Sequence, residues 1–117
     1  MKHNEVSKYL PLTHTTYYIL ISLISPLHGY GIMQKVEEIS GGEIKLGPGT
    51  LYGALSKLEK QGIITKIDEV DEERRKSYVL TTLGTELVKL EFLRIKKLIE
   101  VSTSIVNKLE VDQNDKI

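Results

Sequence analysis

Leu46-Gly47-Pro48-Gly49-Thr50-Leu51-Tyr52-Gly53-Ala54-Leu55-Ser56-Lys57-Leu58-Glu59-Lys60-Gln61-Gly62 is the stretch on which the fold turns. Gly47-Pro48 reads as a helix start, because the N–H that proline lacks has no partner in a first helical turn. Gly62 reads as the stop, since glycine takes up the left-handed backbone that ends many helices. Between them Leu51, Leu55 and Leu58 recur four and three residues apart and make one apolar face. The opposite face carries Thr50, Gly53, Lys57 and Lys60, small or basic and without an acid. Glycine inside a helix costs roughly 0.5–1 kcal/mol relative to alanine, so Gly53 calls for a close approach. Either a neighbouring element packs against it or something large, such as a nucleic-acid groove, comes up to it.

Towards the N-terminus, Glu43 to Leu46 is a connector and Gly41-Gly42 ends a preceding helix. That helix opens at the turn His28-Gly29-Tyr30-Gly31 and runs to about Ser40, with Ile32, Met33, Val36 and Ile39 on its buried face. Before it, Leu10 to Ile24 reads as a helix with Thr13 as a plausible N-cap, ended by Ser25-Pro26. Tyr17, Tyr18, Ile19, Leu20, Ile21, Leu23 and Ile24 cover nearly its whole circumference, so it must be enclosed on all sides. Towards the C-terminus, Ile63 to Glu69 and Lys76 to Leu80 are rich in β-branched residues and form a hairpin across the charged Val70–Arg75 segment. Thr81-Thr82 begins a long helix that reaches about Glu110, and 111–117 is a polar tail expected to fray.

Helix, helix, helix, hairpin and long helix in that order make an α+β, mainly helical fold: a winged helix-turn-helix flanked by an N-terminal helix and a long C-terminal helix. The expected division is a winged domain over 10–81, a dimerisation helix over 82–110 and a disordered tail over 111–117.

The chain is 117 residues long, enough for one modest core. It has no cysteine, which excludes disulfides and thiolate chemistry and suits a reducing compartment. Met1-Lys2-His3-Asn4-Glu5 is polar and leads into no secretory h-region. The longest apolar run, Tyr17 to Ile24, falls well short of the about 20 residues a membrane span needs. The expectation is a cytoplasmic protein. His3, His14 and His28 have no metal-ligand spacing, and no nucleophile motif or phosphate loop is present, so neither an enzyme nor a cofactor or metal site is expected. His14 reads as a surface or interface residue.

Lysine plus arginine and aspartate plus glutamate number 16 each, for a net charge of zero. DNA-binding domains are often basic, because neutralised phosphates supply much of their affinity. Binding to DNA therefore requires the cations to gather on one face. The Lys57 stripe is one such gathering. Tyr52 and Ser56 flank it and offer hydroxyls to phosphates or base edges, although Tyr52 reads equally as a core residue with a wet tip. Arg74-Arg75-Lys76, on the return strand of the hairpin, is the other. Guanidinium groups suit phosphate and can enter a narrow minor groove. Asp71-Glu72-Glu73 precedes them, so the tip either neutralises itself or turns its arginines towards DNA.

In the last helix Val88, Phe92, Ile95, Ile99, Ser102, Val106 and Leu109 alternate four and three apart. A second stripe runs Leu83, Leu87, Leu90 and then, past Arg94, Leu98, Val101 and Ile105. One stripe suffices to dock a helix on its own domain, and two at this spacing imply a partner helix. The expected interface comprises Tyr17, Leu20, Ile24, Val88, Phe92, Ile95, Ile99, Val106 and Leu109. A two-fold dimer would offer its third helix twice, to half-sites about one helical turn apart.

With these residues in view, the sequence resembles the PadR family of transcriptional regulators, in its short subclass with one C-terminal helix. The resemblance is carried by His28-Gly29-Tyr30-Gly31-Ile32, Leu46 to Leu55, Leu58 to Ile64, Arg74 to Thr81 and Leu83-Gly84, over roughly residues 10 to 85. It implies a homodimeric winged-helix repressor held by its first and last helices. It implies DNA contacts from Thr50, Tyr52, Gly53 and Lys57 and from the wing arginines, and backbone contacts from Tyr30 and Lys35. With Ser56, Lys60, Arg74, Arg75 and Lys76, these complete the expected DNA-binding set. The resemblance also implies a small aromatic or drug-like effector, for which Tyr17, Tyr18 and Phe92 are the aromatic candidates. The expected function is sequence-specific binding to an inverted repeat in double-stranded DNA, with repression relieved by the effector. The alternatives are a winged-helix module that docks on protein without an operator, and a ligand-binding dimer with no preferred DNA sequence.

Overall fold

The computed structural model describes residues 6–70 and 75–109, side chains at 68–70 excepted. Helix α1 spans His14–Ser22, four residues later than the apolar run begins. Leu10 precedes Pro11, and a residue before proline is driven out of helical backbone. Thr13 is extended and caps α1, its hydroxyl accepting the Thr16 N–H at 3.1 Å. Strand β1, Leu27–His28, replaces what reads in sequence as turn, because Leu27 and His28 find partners in Tyr78 and Ser77 far along the chain. Helix α2, Gly29–Ile39, is capped by His28, whose Nδ1 accepts the Gly31 N–H at 3.0 Å. Ile32 and Val36 are fully buried and Met33 half-buried. Ile39, expected on the same face, is 38% exposed at the end of the helix, where the core has run out. Gly41 and Gly42 have φ of 65° and 83°, the left-handed backbone that ends α2 and turns the chain.

Helix α3 spans Pro48–Lys60, with proline in its first turn and Leu51, Leu55 and Leu58 buried. Strands β2 (Ile64–Val70) and β3 (Lys76–Leu80) pair antiparallel, with Ile64 opposite Leu80 and Lys66 opposite Tyr78. The register shifts between Ile67 and Val70. The sheet order is β1-β3-β2, so β3 is central. Helix α4, Thr82–Val106, starts on a tight joint. Thr81 Oγ1 accepts the Gly84 N–H and donates to the carbonyls of Gly62 and Ile63, and the Thr81 N–H also reaches Ile63 O at 3.1 Å.

Ile19, Leu20, Leu23, Ile32, Val36, Leu51, Leu55, Ile63, Ile64 and Leu87 form one core between the three short helices, the sheet and the start of α4. Only the first part of α4 belongs to it, where Gly84, Leu87 and Glu91 are buried. Both apolar stripes emerge from the domain beyond that point: Leu98, Ile99, Val101, Ile105 and Val106 are exposed. The two stripes thus divide along the length of α4 more than around its circumference. The radius of gyration, 17.0 Å, exceeds the about 13 Å of a compact chain near this size, as expected for a domain with a projecting helix. Among the described residues no helix is long and apolar enough to cross a membrane, and no group of three metal-binding side chains occurs.

Candidate DNA-binding and dimer interfaces

Burial of Leu51, Leu55 and Leu58 turns the other side of α3 outward. Thr50, Gly53, Ser56, Lys57 and Lys60 are all exposed there, and Tyr52 is 48% exposed. A Cβ placed on Gly53 meets nothing within 4 Å, so Gly53 does not accommodate a neighbouring element of this chain. The ridge has two flanks. On one, Lys57 lies over a groove of about 190 Å³ shared with Tyr9, Leu12, Thr16 and Gln61. On the other, a notch of about 240 Å³ opens between α2, α3 and the hairpin, lined by Gly29, Tyr30, Tyr52, Lys66, Arg75, Lys76 and Tyr78.

The notch depends on Gly29. A Cβ there would stand 2.1 Å from the Tyr52 hydroxyl, so the start of α2 lies directly against that phenol. Tyr30 is 54% exposed and stacks on His28 with ring centroids 6.4 Å apart. Tyr78 is buried beneath, and burial, with Tyr52 and Glu59 nearby, pushes its phenol above the ordinary value. Lys66, on β2, brings a cation that the sequence reading did not single out; its Nζ is 4.0 Å from Glu59 Oε1. The alternation Ile64-x-Lys66 puts this lysine on the same side as a core residue, which is the signal that could have found it. Arg75 is half-buried and Lys76 exposed. Lys35 is exposed on α2, outside the residues lining the notch, with its ammonium 3.6 Å from Glu38. Arg74 and the acids Asp71-Glu72-Glu73 lie outside the described residues, as does the tail over 111–117.

The expected dimer residues fall into three groups. Ile24, Phe92, Ile99, Val106 and Leu109 are 76%, 55%, 60%, 41% and 63% exposed. Tyr17, Val88 and Ile95 are half-buried. Leu20 is 0% exposed: it points into the core of its own chain and offers no surface to a partner. Tyr17, Ile21 and Ile24 face Val88, Phe92 and Leu93 across an open apolar groove of about 460 Å³ between α1 and α4. Tyr17 and Phe92 thus line one groove, whereas Tyr18 packs against the core and does not line it.

Beside this groove lies a charge that sequence reading did not anticipate. The Glu91 side chain is 1% exposed. Its Oε2 accepts the Leu12 N–H at 2.9 Å, and Arg94 donates to both of its oxygens. Burial alone would raise the Glu91 carboxyl. The Arg94 hydrogen bonds, the Leu12 N–H and the guanidinium charge together hold it below the usual glutamate value. Tyr17 is pushed up by its own burial and by the Glu91 charge.

Other proteins resemble this chain in sequence or in shape. A 37.1 kDa protein in transposon TN4556 of Streptomyces fradiae is 42% identical over 66 residues, 56% of this chain and 18% of that protein. The HTH-type transcriptional regulator SarZ of Staphylococcus saprophyticus is 28% identical over 117 residues, 99% of this chain and 70% of the relative. The crystal structure of a PadR family transcription regulator from Clostridium difficile R20291 has the same fold, with a TM-score of 0.69 at 24% identity over 80% of this chain and 99% of that one. The family described as "Transcriptional regulator PadR-like family" matches residues 19–90, from the core of α1 to the docked part of α4. The chain belongs to the PadR-like family, whose members are transcriptional regulators and not enzymes.

Proposed function

We propose that two copies of this chain bind an inverted-repeat operator in duplex DNA and repress transcription by occupying it. The observation that carries the reading is the outward ridge of α3, where Gly53 faces open space amid exposed Thr50, Ser56, Lys57 and Lys60. A helix seated in the major groove needs a crest narrow enough to approach base edges and cations towards the phosphates. Gly53 supplies the first. Lys57 and Lys60 supply the second, joined across the notch by Lys66, Arg75 and Lys76. Tyr30, Tyr52, Thr50 and Ser56 donate hydroxyls, Lys35 reaches the backbone, and Arg74 with Arg75 carries the wing to the adjoining minor groove. Net neutrality is then no obstacle, because the charges that matter are local.

In this reading residues 10–81 contact DNA and 82–110 pair the subunits. The exposed apolar side chains on the outer half of α4 are the support for pairing, since a helix end with Leu98, Ile99, Ile105 and Val106 in water is poorly satisfied alone. The α1–α4 groove with Tyr17 and Phe92 accepts a small aromatic or drug-like effector that relieves repression. The complex works in the cytoplasm, where the operator is. A gel-shift titration over a range of salt tests the DNA contact. Affinity is expected to fall steeply with salt, and Lys57→Ala to weaken binding and reduce the salt slope by about 1 while the dimer persists. A shift that ignores both salt and Lys57→Ala would take the Lys57 ridge out of the contact, and failure to shift any duplex even at low salt would favour a protein-docking module instead.

A further inference from the structure

Glu91 is the last side chain that α4 buries. Leu87, one turn earlier, is apolar, and a leucine at position 91 would continue that face without the cost of desolvating a carboxylate. The charge is met from two directions instead. The Leu12 N–H approaches from the segment before α1, and the Arg94 guanidinium from one turn further along α4.

A buried carboxylate met by a half-exposed guanidinium is a poor source of stability, because desolvating the carboxylate cancels much of the attraction. Its physical use here is direction. Apolar contacts tolerate sliding, whereas a hydrogen bond weakens steeply as its angle closes. The Leu12–Glu91 hydrogen bond therefore sets the rotation of α4 against the N-terminal segment, at the place where the helix leaves the domain, and Arg94, on α4 itself, holds the carboxylate charged and oriented to accept it. From there to Val106 the helix runs on for about 22 Å, and a swing of about 15° at its root moves its end by about 6 Å.

We propose that Glu91 is a positioning residue for operator recognition: its clamp sets the direction of the outer half of α4, and through it the separation of the two α3 ridges in the dimer. The clamp stands on this chain's own contacts; its consequence for DNA rests on the dimeric reading above.

Cysteine is absent from the sequence, so Ser56→Cys with Ser104→Cys places one spin label on α3 and one on the outer half of α4. Diluted into unlabelled protein, this pair reports the distance within a single protomer by dipolar spectroscopy, whatever the oligomeric state. Glu91→Leu in this background is expected to keep a cooperative unfolding transition and a similar Tm. Its distance distribution is expected to shift or widen by about 5 Å, the displacement of a lever about 20 Å long swinging through about 15°. Arg94→Gln, an exposed substitution, is expected to change the distance in the same sense. On duplexes whose two half-sites are spaced at single base-pair increments, the unlabelled wild type should select one spacing and Glu91→Leu, made in the wild-type sequence with Ser56 intact, should lose that selection.

A merely structural role for Glu91 would lower Tm and leave the distance and the spacing preference alone. Unchanged distances in both variants overturn the clamp. Should Glu91→Leu fail to fold, Arg94→Gln decides by the same distance. A widened distribution alongside wild-type protein that binds no paired half-sites supports the clamp and removes the dimeric reading.

Discussion

Gly53 sits at the crest of α3 with open space above it, and that placement makes opposite demands on stability and on binding. Gly53→Leu is expected to stabilise the free protein by about 0.5–1 kcal/mol, because any ordinary side chain suits an exposed helix interior better than glycine. The same substitution is expected to lower DNA affinity by at least about tenfold, or about 1.4 kcal/mol, by holding α3 away from the groove floor. Thermal unfolding and gel shifts on one preparation check both signs. A rise in Tm without a fall in affinity would take Gly53 out of the contact surface. Gly29 makes a different demand, since its missing side chain leaves the space that the Tyr52 hydroxyl occupies. Lys57 was legible as a ridge residue because the leucine spacing fixes which side of α3 is wet. Lys66 was legible only in part: the Ile64-x-Lys66 alternation fixes its side of β2, but not that this side meets the flank of α3 where it leaves the core.

The elements divide by how local their causes are. Helix α3 could be bounded from sequence because proline, three leucines and a terminal glycine act within a few residues of one another. The Thr13 cap was legible and marks the true start of α1, whereas the apolar run carried the expected helix back to Leu10, a residue that Pro11 keeps out of helical backbone. Strand β1 was invisible, since two residues become a strand only through pairing with β3. The joint between Gly62-Ile63 and α4 is equally non-local: a Cβ on Gly84 would lie 2.1 Å from the Ile63 carbonyl oxygen, a backbone atom with little freedom to move. Gly84→Ala is therefore expected to destabilise the fold by about 1–3 kcal/mol, read as a lower denaturant midpoint. Glu91 reads in sequence as one more charge on an amphipathic helix, and its burial depends on Leu12, a residue 79 positions away. Its carboxyl is held below the usual value, so the folded form gains stability that is complete above the ordinary glutamate pKa and is lost as pH falls through the lowered one. Denaturation followed down that acid range should show a component in the wild type that Glu91→Leu lacks; parallel curves would contradict the sign of the shift.

At the scale of the whole molecule, a single small core holds the three short helices, the sheet and the root of α4 together, while the outer half of α4 carries its apolar side chains into solvent. Ile99, 60% exposed, lies in the proposed seam between subunits. Ile99→Glu is expected to leave one chain folded and to separate the pair, because a carboxylate would have to be desolvated in an apolar contact. Sedimentation over a concentration series reads this directly, and a dimer as tight as the wild type would move the seam elsewhere. In the proposed dimer, pairing matters because one ridge bearing few cations would bind weakly, and two ridges held at a set distance would multiply that affinity only on DNA with matching half-sites. Selection of bound duplexes from a random pool measures this most directly. The account predicts an enriched inverted repeat whose half-site centres lie about one helical turn apart. Recovery of no preferred sequence, or of a lone half-site with no symmetric mate, would contradict it.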